Sequence, residues 1–236
     1  WEYSDDGRTL TMQLSEGVTF HDGTPFDAEA AAANLQRAKE LEGAIAAADL
    51  ANVETVEAVD EHTIELTLTE PQASLLPILS DRHGAMICPS AFDDPDLPRA
   101  PCGAGMYRVD EYLPGDRISY VRFEDYWDPE AVGAARFEFI LIGDAQTRLN
   151  ALRTGQVDAV SLEPGQIDEA EGAGLTTQSR TTTVYQQIYM NRTRAPFDNV
   201  DVRRALNYAI DREAIVDVID HGYGEPNSQI MPEGYW

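Results

Sequence analysis

The chain has 236 residues, 43% of them hydrophobic and 25% charged. That is ordinary globular composition, enough for one large domain or two small ones, and it excludes a disordered chain. The net charge of −25, with Lys39 the only lysine, argues against a nucleic-acid partner, because phosphate contacts need a basic face.

"RTLTMQL" alternates, with Leu10, Met12 and Leu14 on one face, and "EG" turns it into "VTF". This predicts a β-hairpin. "FHDGTPFDAEAAAANL" then turns a corner. Asp27 is a good N-cap with Glu29 in the first turn, predicting a helix over 28–41. A looser stretch leads into "VETVEAVDEHTIELTLTE", a second hairpin turning at 60–62, in which Ile64, Leu66 and Leu68 alternate. "PQASLLPIL" reads as a short helix from Pro71.

The segment "CPSAFDDPDLPRAPC" holds both cysteines, Cys88 and Cys102, and is the first candidate domain boundary. In an oxidising compartment the two cysteines would pair, worth about 3 kcal/mol for a loop of this length. In the cytosol they would be two buried thiols. With no C-x-x-C and four scattered histidines, no structural zinc site is indicated.

"MYRVDEYLPGDRISYVRF" predicts a strand pair around "PGD". "ARFEFILI" is apolar on both faces and reads as a buried strand. A helix follows, capped by Asp144 and stopped at Gly155, and "VDAVSL" reads as a strand. Residues 136–162 thus predict a strand–helix–strand unit with a parallel pair. "EPGQIDEAEGAG" starts a small helix, and "TTTVYQQIYMN" reads as a β-branched and aromatic strand. Two short helices follow, the first capped by Asp198 or Asn199, the second by Asp211 and closed by Gly222.

No phosphate-binding loop and no nucleophile elbow occurs, and "GAG" at 103–105 lacks the rest of a dinucleotide fingerprint. The His21–Asp22 pair suits a metal phosphohydrolase only with further His and Asp ligands on helices, which the sequence does not supply. The pair reads instead as the corner between a hairpin and a capped helix. No run of apolar residues is long enough to span a membrane.

Four segments carry a resemblance: "TLTMQLSEGVTFHDGTPFDAEAAAANLQRA", "CGAGMYRVDEYLPGDRISYVRFEDYWDP", "RLNALRTGQVDAV" and "IYMNRTRAPFDNVDVRRALNYAIDREAIVDVIDHGYGEP". Read together and in order, they resemble the extracellular solute-binding proteins of family 5, the peptide, dipeptide and nickel receptors of ABC importers. Met106 departs from the family's usual proline.

The resemblance implies an α/β fold: a periplasmic-binding-protein-like lobe (type II, cluster C) with a mixed sheet and a small inserted α+β domain. Residues 1–100 would be that small domain, 101–191 the lobe-one core, and 192–236 the opening of lobe two. Family chains are longer, and this chain starts at Trp1 without a signal peptide, so an internal fragment is expected, with most of lobe two outside it. The implied role is non-enzymatic, without cofactor or metal: capture of a solute, a peptide or oligopeptide first, between two lobes that close over it. The implied partners are that ligand and the membrane subunits of an ABC permease, and the protein would act as a monomer. It would work in the periplasm or on the extracellular face of the membrane, lipid-anchored through a preceding segment.

The expected ligand contacts are Tyr185, Gln187 and Tyr189, on one face of their strand, and then Arg82 and His83, where an arginine could pair with a carboxylate. Trp127 and Asp211 are expected to be structural. The competing readings are a nickel or oligosaccharide receptor of the same family, a sensing domain behind a DNA-binding module, and an unrecognised hydrolase.

Overall fold

The computed structural model describes residues 1–41, 45–131, 133–180, 182 and 184–229. The chain divides into two compact units, Trp1–Leu141 and Ile142–Trp236. The proline-rich loop between the cysteines falls inside the first.

Unit one opens with a four-stranded antiparallel sheet. Its strands are β1 (Glu2–Tyr3), β2 (Thr9–Gln13), β3 (Val53–Asp60) and β4 (Thr63–Leu68), in the order β1-β2-β4-β3. The alternation in β4 buries Ile64, Leu66 and Leu68. Across the ladder Leu10 faces Leu66 and Met12 faces Ile64. Helix α1 (Ala28–Glu40) is started by Asp27, whose carboxylate accepts the Ala30 amide at 2.8 Å. Arg37 and Lys39 in its last turn complement the helix dipole. Ala28, Ala31 and Leu35 pack on the sheet with Leu10, Leu50, Val53 and Leu75. On another side of α1, Ala30 packs with Phe20 and Cys88 in a second buried cluster. The helix is alanine-rich because it is buried on two sides, where small side chains allow close approach.

Three expectations are corrected here. The hairpin of "RTLTMQL" with "VTF" does not form: β2 lies between β1 and β4, and the 18–20 stretch makes a single bridge, Thr19 to Pro25. Alternation marks a strand but does not choose its neighbour, and the Leu10–Leu66 and Met12–Ile64 pairs put β2 into the core. The helix expected from Pro71 is α3 (Leu75–Leu79), preceded by a turn that the Gln72 carbonyl closes on the Leu75 amide. The loose stretch before β3 contains a short helix, α2 (Ile45–Asp49).

The second sheet of unit one is antiparallel, β5 (Tyr107–Leu113), β6 (Arg117–Arg122) and β7 (Arg136–Ile140), with β6 central. Gly115 takes φ +80° in the "PGD" turn, which only glycine adopts cheaply. Tyr120 stacks on Phe137 at 4.7 Å, and Phe139 meets both rings edge-on. The reading of β7 as a buried strand is corrected: it is an edge strand, with Phe139 64% and Ile140 45% exposed.

Among the described residues unit two holds four α-helices: α4 (Ala145–Arg153), α5 (Ile167–Gly172), α6 (Val200–Ala209) and α7 (Arg212–Val218). Asp144, Asn199 and Asp211 cap α4, α6 and α7 by accepting the amides of Thr147, Asp201 and Ala214. Among the described residues neither 157–162 nor the 181–191 segment is a strand, so the expected parallel pair is absent. A strand needs a ladder partner to saturate its amides and carbonyls, and among the described residues neither segment is paired with one.

Candidate functional site

The HDG corner is tied to the rest of unit one by side-chain and backbone hydrogen bonds. The Gly103 amide donates to His21 Nδ1 at 3.2 Å, so that nitrogen carries a lone pair and the ring proton sits on Nε2. Nε2 lies 2.9 Å from the Gly105 carbonyl, to which it donates. The His21 backbone amide donates to the Gly103 carbonyl at 2.8 Å. The ring also meets Phe123 edge-on at 5.0 Å.

Asp22, next in sequence, accepts from the Thr24 amide (3.0 Å), the Thr24 hydroxyl (2.6 Å) and the Ser90 hydroxyl (2.6 Å). Burial acts to raise its carboxyl, but the bonds from Ser90 and Thr24 together outweigh it and hold the pKa below the ordinary carboxylate value. Cys88 and Cys102 are joined in a disulfide with Cα atoms 5.3 Å apart. A bridge between Ile87 and Gly103 and a bond from the Cys88 amide to the Cys102 carbonyl hold the same two strands of chain together. The donor atoms of Asp22, Cys88 and Cys102 lie within 4.8 Å of one another. With both sulfurs consumed in the disulfide, the trio offers a metal one carboxylate only.

Beside this corner lies an open hollow of about 560 Å³. Its walls are residues 13–15, Val18 and Phe26, Ala85 and Met86, residues 103–105, and Trp127. In a chain with 42 acidic and 17 basic residues, none of these lining side chains is ionisable. The hollow can therefore receive an uncharged, largely apolar group, with Phe26, Met86 and Trp127 as contact surface.

Buried Asn34 pins one wall. Its amide donates to the Ile87 carbonyl at 2.9 Å, and its oxygen accepts the Ile87 amide at 2.8 Å. The sequence reading missed Asn34; the available signal was a lone polar residue on the alanine-rich face of the helix.

The expected site residues are placed as follows. His83 is 8% exposed, with Nε2 2.9 Å from an Asp49 carboxylate oxygen. The contact does not meet hydrogen-bond geometry, and it is an ion pair only when the ring is protonated. Arg82 points to solvent, 4.0 Å from Asp81. Neither lines the hollow, although Ala85 and Met86 of the same segment do. Trp127, expected as a packing residue, is 53% exposed in the hollow's wall and tilts against Tyr126.

In unit two, Tyr189 lines a separate hollow of about 390 Å³ with Ile188, Met190, Val200, Asn207 and the arginines 192, 203 and 204. Tyr185 and Gln187 are exposed and lie outside it. The shared strand face expected for Tyr185, Gln187 and Tyr189 does not exist, because the segment forms no strand.

The sequence pattern of the bacterial extracellular solute-binding proteins, family 5 Middle, matches residues 1–236, and the chain belongs to that family. It is 34% identical over 235 residues to the glutathione-binding protein GsiB of Escherichia coli strain K12, covering 97% of this chain and 46% of that protein. It superposes with a TM-score of 0.86, at 28% identity, on the binding protein AgaA in complex with agropinic acid from A. tumefaciens R10, covering 99% of this chain and 48% of that one. A nickel ABC transporter structure from Bacillus halodurans matches at 29% identity and a TM-score of 0.70, over 98% of this chain and 47% of that one. The chain thus spans about half the length of the relatives it matches. Among the described residues no helix is long and apolar enough to cross a membrane.

Proposed function

We propose that this chain is part of the substrate-binding component of an ABC importer, a receptor without catalysis that captures a short peptide and hands it to the permease. The observation that carries this reading is the 34% identity, over nearly the whole chain, to a protein named for binding a tripeptide, glutathione. The uncharged hollow of unit one supports it, since a peptide side chain or backbone can be seated there without desolvating a charge. Tyr189, Arg192 and Asn207 of unit two offer groups suited to a peptide carboxylate. Tyr185, Gln187, Arg82 and His83 remain candidate contacts. The Cys88–Cys102 disulfide fits an exported protein, in the periplasm or lipid-anchored on the outer face of the membrane. We propose that it acts as a monomer.

The test is calorimetry on the whole protein that contains this chain, titrated in turn with glutathione, other tripeptides, nickel–histidine and agropinic acid. Binding of a peptide at micromolar strength is expected. Binding of nickel–histidine or agropinic acid alone would replace the peptide with that ligand class. The 236 residues by themselves are expected to bind weakly, since in a closing receptor both lobes contact the ligand.

A further inference from the structure

We infer that His21 is a positioning residue for the unit-one hollow, fixing the course of residues 103–105 in its wall. The hollow as a ligand site rests on the function proposed above, whereas the hold of His21 on the wall is a matter of geometry. His21 is not among the lining residues. It meets the wall from outside with three hydrogen bonds: Gly103 amide to Nδ1, Nε2 to the Gly105 carbonyl, and its own amide to the Gly103 carbonyl.

Gly103 and Gly105 have no side chains, so these two residues are placed through their backbone, while Ala104 between them packs on the Phe20–Cys88 cluster. The stretch is also confined: a Cβ at Gly103 would come within 3.2 Å of the carbonyl of Met86, itself a lining residue. The neutral imidazole with its proton on Nε2 is the form that serves both glycines, since it accepts at one nitrogen and donates at the other. Asp22, tied to Ser90 and Thr24, anchors the corner from which His21 reaches. The Met86 side is held by Asn34 through Ile87, and it is tied to the start of this stretch by the Ile87–Gly103 bridge and the Cys88–Cys102 disulfide. That clamp acts at Gly103, and His21 extends the hold to Gly105, so the course of the wall from 103 to 105 follows His21, and ligand affinity should follow it beyond any effect on folding.

The test compares His21→Ala, His21→Asn and His21→Gln with the wild type. An asparagine carbonyl can replace Nδ1 as acceptor for Gly103, and a glutamine amide can replace Nε2 as donor to Gly105. Amide NMR of the 236-residue chain should show His21→Ala displacing the signals of residues 103–105, with Gly103 exchange about tenfold faster, the worth of one hydrogen bond. His21→Asn should restore Gly103 protection and leave Gly105 displaced, and His21→Gln should do the reverse. The wild-type ring should show the nitrogen shifts of the Nε2–H tautomer. In the whole protein, glutathione affinity should fall about tenfold in His21→Ala and recover in part in His21→Asn. Should His21→Ala fail to fold, the Asn and Gln variants carry the comparison.

Unmoved amides at 103–105 in His21→Ala, or variants that all behave alike, would overturn the inference. If the amides respond as described but the wild type binds no glutathione, His21 retains its positioning role and the ligand reading falls.

Discussion

The two units differ in how much of themselves they bury. Unit one encloses Leu10, Ala31, Leu50, Ile64, Leu66 and Leu75 at 2% exposure or less, in a cluster that joins a sheet to a helix. Among the described residues of unit two only Leu149, Ala151 and Ala170 are buried, while Tyr208 is 90% exposed, Val184 85% and Val218 72%. Yet α4, α6 and α7 of unit two are each capped by a side chain, as α1 is. Good local signals thus make helices in both units, but only the pairing of β2 with β4 under α1 makes a core. Secondary structure and stability come from different parts of the sequence.

The largest test of this contrast is truncation. Leu66→Ala should cost about 2–5 kcal/mol in chemical denaturation, because the cavity it leaves lies in a packed core. Tyr208→Ala should change stability by less than about 0.5 kcal/mol. Equal effects would erase the distinction between the units.

Next comes the disulfide. Cys88→Ser with Cys102→Ser should lower stability by about 3 kcal/mol, seen as a shifted denaturation midpoint in unit one, with the circular dichroism of the helices kept.

A smaller effect sharpens the comparison. Asp27→Ala and Asp211→Ala remove equivalent caps, each worth about 1 kcal/mol locally. The first should appear in the global unfolding of unit one. The second should appear only as fraying of α7, read by local hydrogen exchange.

The smallest concerns pH. Because the Asp22 pKa is lowered in the folded chain, its ionised form stabilises unit one above the ordinary carboxylate value, and that contribution disappears as pH falls through the folded value. The stability gap between wild type and Asp22→Asn should therefore be widest near neutrality and close in strong acid. A gap independent of pH would show that the bonds from Ser90 and Thr24 do not depend on the charge.

Much of the local structure was legible in the sequence. The Asp27, Asp144 and Asp211 caps, the hairpin turning at 60–62, and the strand pair around Gly115 all follow from neighbours a few residues apart. Interactions at that range are set by backbone geometry and by which side chains can reach an adjacent amide. His21 and Asp22 were likewise legible as a corner leading to the helix that Asp27 caps, and four ordered segments were enough to indicate the family.

What only the tertiary structure decided lies at long range. The neighbours of β2, the edge position of β7, the lack of strands at 157–162 and 184–191 among the described residues, and the convergence of Phe26, Met86, Gly103 and Trp127 on one hollow all depend on contacts between distant residues. Periodicity shows which face of an element is apolar but not what will cover it. His21 shows the same limit: its place in a glycine turn is a local fact, while its hold on Gly103 and Gly105 exists only because the fold brings those residues to it.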